Sequence, residues 1–348
     1  MKLKKNLAIK WMLLLLIGVL ISACSNTGAS SSEPTEIMVD VVSDAATEIA
    51  QATAATEEPT AAPTAAPTAT AAPTLEPGVP TVEPTATNTL SPYDALIAAS
   101  EELLKQGEGE LAIEEINKAI QMDPTATAGY IQRGRVYLSQ NKFDEAIIEF
   151  NFALNFDPNN AEALSNRGVA FASKQSYNQA LIDFGKALGL DPNYVNAYIN
   201  RSIVYIGRQE YDLAFADLEA ALAIDPNDSE VYLNRGNLHM LLDQPDLALA
   251  DFNQMVVLDP DNPFGYYSRG TAYLMLEEID KALEDLNKAI EMDPELIDAY
   301  YSRALAFIEL QQIDQAISDF EFVIANTKID ELRDLAQTEL NKLLAGTP

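Results

Sequence analysis

Cysteine, histidine and tryptophan each occur once in the 348 residues. A lone cysteine excludes an intrachain disulfide framework, and one cysteine with one histidine is too little for a zinc site or a Cys–His nucleophile pair. Cationic residues are scarce as well, 22 Lys and Arg against 53 Asp and Glu, for a formal net charge of −31. That excess argues against a nucleic-acid partner, whose phosphates are gripped by clustered Lys and Arg, and favours basic or neutral partners. No P-loop, Gly-x-Ser-x-Gly or His-Glu-x-x-His pattern occurs, so catalysis would have to rest on carboxylates and hydroxyls alone. The expectation is a protein without metal, cofactor or enzymatic activity.

Proline divides the chain into three. Residues 1–33 have none, residues 34–92 hold nine of the 18, and six of the remaining nine fall at regular intervals. In the first part Lys2, Lys4, Lys5 and Lys10 precede a nearly unbroken apolar run from Trp11 to Ala23, followed by Cys24. A basic start and an apolar stretch shorter than the ~20 residues of a membrane span describe a secretory signal over residues 1–23. Its end, Ile21-Ser22-Ala23-Cys24, resembles the lipobox of bacterial lipoproteins. The resemblance implies cleavage before Cys24 and lipid attachment to it, with acyl chains contributing ~0.8 kcal/mol per buried CH₂. It places the protein in the cell envelope, lipid-anchored on the extracytoplasmic side of a bacterial membrane; an uncleaved signal anchor is the alternative.

Residues 24–92 form the second part, rich in Thr, Ala and Pro, with nine acidic and no basic residues. With so few large apolar side chains it cannot offset the entropy of ordering, and it reads as a disordered linker between anchor and domain.

The third part is periodic. Asp-Pro recurs at Asp123-Pro124, Asp157-Pro158, Asp191-Pro192, Asp225-Pro226, Asp259-Pro260 and Asp293-Pro294, always 34 residues apart. Tyr130, Leu164, Tyr198, Tyr232, Tyr266 and Tyr300 keep the same register, as do Gly134, Gly168, Gly236 and Gly270, and then Ala146, Ala180, Ala214, Ala248, Ala282 and Ala316. Each unit holds two amphipathic stretches of helical period around a short polar break, Ala161–Lys174 and Tyr177–Leu190 in the third. The small residues mark close helix approach, and each Pro is placed to begin the next helix with Asn159/Asn160 or Asn193 as cap. This pattern resembles the tetratricopeptide repeat. The resemblance implies an all-α solenoid, a right-handed superhelix of about seven helix-turn-helix repeats over residues 93–328, with a capping helix and tail over 329–348.

Arg133, Arg167, Arg201, Arg235, Arg269 and Arg303 form a second ladder, each followed 16 residues later by Glu149, Asp183, Asp217, Asp251, Asp285 or Asp319. Six matched pairs indicate a strut between the helices of a hairpin rather than a row of anion-binding arginines.

Just before those arginines stand Gln132, Asn166, Asn200, Asn234, Ser268 and Ser302. By the family resemblance this place faces the concave groove, and the three asparagines resemble the asparagine ladder of peptide-holding arrays. An amide offers both donor and acceptor, so such a ladder can pair with the main chain of an extended peptide; the alternative is that it hydrates the groove without a ligand. Ile199, Ile203, Leu233, Tyr267 and Tyr301 are expected to supply apolar groove walls. The family's basic clamp is not matched, because its places carry Asn196, Glu230, Phe264 and Asp298, with Arg135 a lone cation. His239 takes an aromatic place and is expected to pack between helices.

Together these features point to a lipid-anchored scaffold that holds extended polypeptide segments and assembles or localises envelope proteins. Special cases are an assembly factor for a pilus, secretion or outer-membrane machine, and an adaptor for cell-wall hydrolases or proteases.

Overall fold

The computed structural model describes residues 90–346. The signal segment, Cys24 and all but the last residues of the linker lie outside the described residues. Within them the chain is helical and without strands, fourteen helices paired into seven hairpins and a fifteenth at the end. The hairpins are α1 (Pro92–Lys105) with α2 (Gly109–Met122), α3 (Thr127–Ser139) with α4 (Phe143–Phe156), and α5 (Ala161–Ser173) with α6 (Tyr177–Leu190). Next come α7 (Val195–Gly207) with α8 (Tyr211–Ile224), α9 (Ser229–Leu241) with α10 (Pro245–Leu258), and α11 (Pro263–Met275) with α12 (Ile279–Met292). The last pair is α13 (Ile297–Glu309) with α14 (Ile313–Asn326), and α15 (Asp330–Leu344) packs on α14. None of these helices is long and apolar enough to cross a membrane.

The helix starts correct one expectation. The prolines of the Asp-Pro pairs do not begin helices; α3 starts at Thr127, beyond Pro124. The aspartate instead folds back, Asp123 Oδ1 accepting from the Thr125 N–H at 2.9 Å, with the same bond at Asp191–Asn193, Asp225–Asn227 and Asp293–Glu295. Proline's fixed φ serves this Asx turn between repeats. Asn160 does cap α5, accepting from the Ala163 N–H at 2.9 Å, whereas Asn193 is spent in its turn and Tyr194 stands at the cap. Inside the hairpins the turn passes through the left-handed region at a non-glycine residue: Asn141, Gln175, Gln209, Asp243, Glu277 and Gln311 have φ between 57° and 62°.

The small residues do what their spacing implies. A Cβ on Gly134 would stand 2.5 Å from the Phe150 ring, and one on Gly236 would stand 2.4 Å from Phe252. The two helices of a hairpin meet there, with Phe150, Phe184, Phe252 and Phe320 fully buried.

The arginine ladder is a strut, and it reaches further than one hairpin. Arg167 Nε and Nη2 donate to the two carboxylate oxygens of Asp183 at 2.7 and 2.8 Å, and Arg201, Arg235, Arg269 and Arg303 repeat that fork on Asp217, Asp251, Asp285 and Asp319. Each carboxylate raises its guanidinium above the ordinary value at Arg201, Arg235 and Arg269. The remaining Nη1 donates backwards, Arg133 to Asn117 at 2.7 Å, Arg167 to Asn151 at 2.6 Å and Arg303 to Asn287 at 2.8 Å. Where the preceding second helix carries an asparagine, at Arg133, Arg167, Arg269 and Arg303, the arginine therefore ties its own second helix to that of the preceding repeat. The guanidinium also lies against an aromatic ring, 5.6 Å from Tyr198 at Arg201 and 5.2 Å from Tyr300 at Arg303.

Candidate inner binding face

Successive first helices (α1, α3, α5 and onward) pack on one another as well as on their partners, and more closely than successive second helices do. The first helices therefore form the inner layer of the solenoid, and what they leave uncovered is the candidate binding face.

That packing overturns the expected apolar walls. Ile199 and Ile203 are 1% exposed, Leu233 6%, Tyr267 1% and Tyr301 0%. All five belong to the continuous core, because large side chains on this side of a first helix fill the gap to the next first helix. The ladder is only partly open for the same reason. Gln132, Asn234, Ser268 and Ser302 are buried, while Asn166 and Asn200 remain half-buried and reachable. Asn166 Nδ2 donates to the Glu162 carbonyl at 3.0 Å and Asn234 Nδ2 to the Glu230 carbonyl at 2.9 Å, which orients both amides along their own helices. Gln132 accepts from Arg135 Nη1 at 3.1 Å.

The open surface lies one helical turn earlier, at the place expected to hold the missing basic clamp. Glu162 and Asn196 are exposed, and Glu230, Phe264 and Asp298 are partly so. Helical spacing stacks Glu162 on Asn166, Asn196 on Asn200, and Asp298 on Ser302. The face is acidic: Arg135 is the cation beside it, and it already lies 3.8 Å from Glu101. Arg135 and Glu162 both influence the Tyr194 hydroxyl, which burial raises above its ordinary value, so three successive repeats meet around one point.

At the far end the inner helices crowd around Asp298, and loss of solvent pushes its carboxyl up to about 6 against the bond from its own backbone N–H. The Tyr267 hydroxyl lies beside this carboxylate and the hydroxyls of Ser302 and Thr271, and burial carries it well above its ordinary value. Tyr301 Oη is buried without a hydrogen-bond partner, as are both amide atoms of Asn237. Nothing in the 34-residue register marks Asp298 apart, since its counterparts are Asp94, Ala128, Glu162, Asn196, Glu230 and Phe264. His239 packs as expected, its ring 4.8 Å from Phe215 and its Nδ1 2.8 Å from Gln244 Oε1. Among the described residues no group of His, Cys, Asp and Glu is arranged to hold a metal ion.

Models of the tetratricopeptide repeat match residues 97–154, 161–194, 199–263, 263–296 and 297–324, and a further repeat model of the family matches 134–175. A tetratricopeptide repeat protein from Parabacteroides merdae is similar over 71% of this chain and 99% of its own, at 23% identity and a TM-score of 0.55. A chain of the APC/C Cut9–Hcn1 hetero-tetramer structure aligns over 72% of this chain and 49% of its own, at 19% identity and a TM-score of 0.63. PilW, described as a widely conserved type IV pilus biogenesis factor, aligns over 61% and 98%, at 20% identity and 0.53. These likenesses concern the fold. No curated protein matches the chain.

Proposed function

The chain belongs to the tetratricopeptide-repeat family, and from that premise we propose that it is a lipid-anchored extracytoplasmic scaffold whose inner face holds extended, basic or neutral polypeptide segments. The observation that carries this reading is the open strip of stacked side chains, Glu162 over Asn166 and Asn196 over Asn200, continued by Glu230 and Asp298. Amides one repeat apart can pair with a main chain whatever its side chains, while the carboxylates select against acidic partners. The role is binding, with no chemistry of its own. Cys24 supplies the anchor and the Thr/Ala/Pro-rich segment the reach from the membrane.

The test is cross-linking and affinity capture of the full chain from envelope membranes, beside an Asn166→Ala/Asn200→Ala variant and a Cys24→Ala variant. Loss of the same partners in the amide variant, with an unchanged melting transition, is the expected result. Identical partner lists would move binding off the inner face. Persistent lipid labelling of the Cys24→Ala protein would refute the anchor.

A further inference from the structure

We propose that the turn edge of the C-terminal repeats, a row of leucines flanked by aspartates, is a second docking surface that receives a basic amphipathic helix of a partner protein. It is separate from the inner face and does not depend on it.

In the N-terminal half, the edge where the hairpins turn carries a polar contact between neighbouring repeats. The residue closing a first helix reaches back to the first turn of the preceding second helix. Gln140 Nε2 donates to Glu110 at 3.4 Å, Lys174 pairs with Asp144, and Arg208 Nη1 donates to Asn178 at 3.1 Å. In the next three repeats the same place holds Leu242, Leu276 and Leu310, which close α9, α11 and α13. The acceptor side does not change with it. Asp212, Asp246 and Asp280 still stand in the first turns of α8, α10 and α12, exposed and deprived of that donor.

Each leucine forgoes the contact between repeats and the favourable place of a cation at a helix C-terminus, and it leaves apolar surface in water. Leu310 is 37% exposed, and Leu242 and Leu276 are partly so. Leu213 and Leu247, next to Asp212 and Asp246, are 48% and 52% exposed. Scattered singly such residues need no explanation, but here they recur in register over three consecutive repeats along one edge.

Charge decides the occupant. Lys281 is the cation on this strip, and Glu278 holds it. A second copy of the chain would bring aspartates against aspartates, and an anionic membrane surface would be repelled in the same way. A partner's lysines and arginines instead replace the donors that the leucines removed. Spacing favours a helix, since packed neighbouring helices stand ~8–10 Å apart and a helix offers anchors at i, i+7 and i+14, ~10.5 Å from one to the next.

Fluorescence anisotropy of the full chain tests this with a fluorescein-labelled helical peptide of about 22 residues, long enough to span three repeats, with leucines along one face and lysines beside them. Two comparison peptides carry glutamate for every lysine, or the same residues in an order that is not amphipathic. The basic amphipathic peptide should bind at least about 10-fold more tightly than either. Leu242→Lys/Leu276→Lys/Leu310→Lys copies the arrangement at Lys174, so it should keep or raise the melting temperature and lose at least about 10-fold in affinity for that peptide. Asp212→Asn/Asp246→Asn/Asp280→Asn, an exposed change, should remove the preference for lysine over glutamate. Asn166→Ala/Asn200→Ala should bind the peptide as wild type does, which separates this edge from the inner face. The proposal fails if wild type does not bind the basic peptide or binds all three equally, if the triple-lysine variant binds as wild type does, or if the triple-asparagine variant keeps the preference. It fails equally if the inner-face variant loses the peptide. A wild-type dimer in sedimentation that the triple-lysine variant converts to a monomer would show a second copy on the strip and refute the partner helix.

Discussion

Cutting one rung of the arginine ladder should cost far more than removing the whole rung. The pair Arg167–Asp183 is suited to the test, with 19% and 4% of the two side chains exposed. At an effective dielectric of ~20, two charges ~4 Å apart attract by about 4 kcal/mol, and desolvating them costs several kcal/mol in return. The net contribution is therefore small. Asp183→Leu removes the acceptor of two short bonds and strands Arg167 with Asn151 as its remaining partner. Because the guanidinium keeps some water, the cost should fall at the lower end for a broken buried pair, about 3 kcal/mol. Arg167→Met leaves the more deeply buried Asp183 unpaired and should cost about as much or slightly more. The double variant, an apolar pair of similar volume, should lie within about 1 kcal/mol of wild type. Urea unfolding at pH 7, followed by helical circular dichroism, gives the cycle, provided the urea slopes agree across the four proteins. A coupling energy below about 1 kcal/mol would show that the fork acts like a surface pair and refute the strut. Raising the salt should leave most of the coupling intact, because a pair this buried is screened weakly.

Three further perturbations follow from local geometry. Gln209 and Gln311 occupy the left-handed region at φ 60° and 58°, so glycine at either should raise stability by about 0.5–1 kcal/mol, and a lower thermal midpoint would contradict the strain. Alanine at Gly236 should cost about 1–3 kcal/mol because its Cβ would meet Phe252 at 2.4 Å, whereas alanine at Gly185, where nothing lies within 4 Å, should gain up to about 1 kcal/mol. Equal effects at the two glycines would refute the close-approach reading. For Asp298 the folded carboxyl is raised from 3.8 to about 6, so the native state binds the proton more readily than the unfolded chain. Its contribution is then fully present below about pH 4 and lost as pH rises through about 6. Allowing for its partial exposure, wild type should lose about 1–2 kcal/mol relative to Asp298→Asn between pH 4 and 7. Parallel stability profiles for the two proteins would show that no such shift exists.

What the sequence revealed and what it hid divide along one physical line. Contacts that recur in every repeat print themselves in the 34-residue register, which is why Gly134 against Phe150 and Arg167 against Asp183 were legible as close approach and strut. The backward bonds to Asn117, Asn151 and Asn287 carry the same register, but Gly185 and Glu219 interrupt it and conceal the pattern. The left-handed turns were hidden for a different reason: Gln175 and Glu277 carry no chemical sign of positive φ, whereas Gly107 in the first hairpin does.

The groove walls were misread because helical periodicity tells which side of a helix is apolar, and not whether that side meets a ligand or the next repeat. Ile199, Ile203, Leu233, Tyr267 and Tyr301 lie on the inner side, and neighbouring first helices close over them. A solenoid needs this closure, since each hairpin alone leaves an apolar face that only its neighbours can cover. Variation free of that constraint is left to the first turn of each first helix, where packing demands little. There the sequence runs through Glu162, Asn196, Glu230, Phe264 and Asp298 without a common residue type. Partner choice in a repeat array is read where the repeats disagree: at these positions a change of residue alters charge and donor pattern while leaving the Gly–Phe and Arg–Asp contacts that hold the hairpins together untouched.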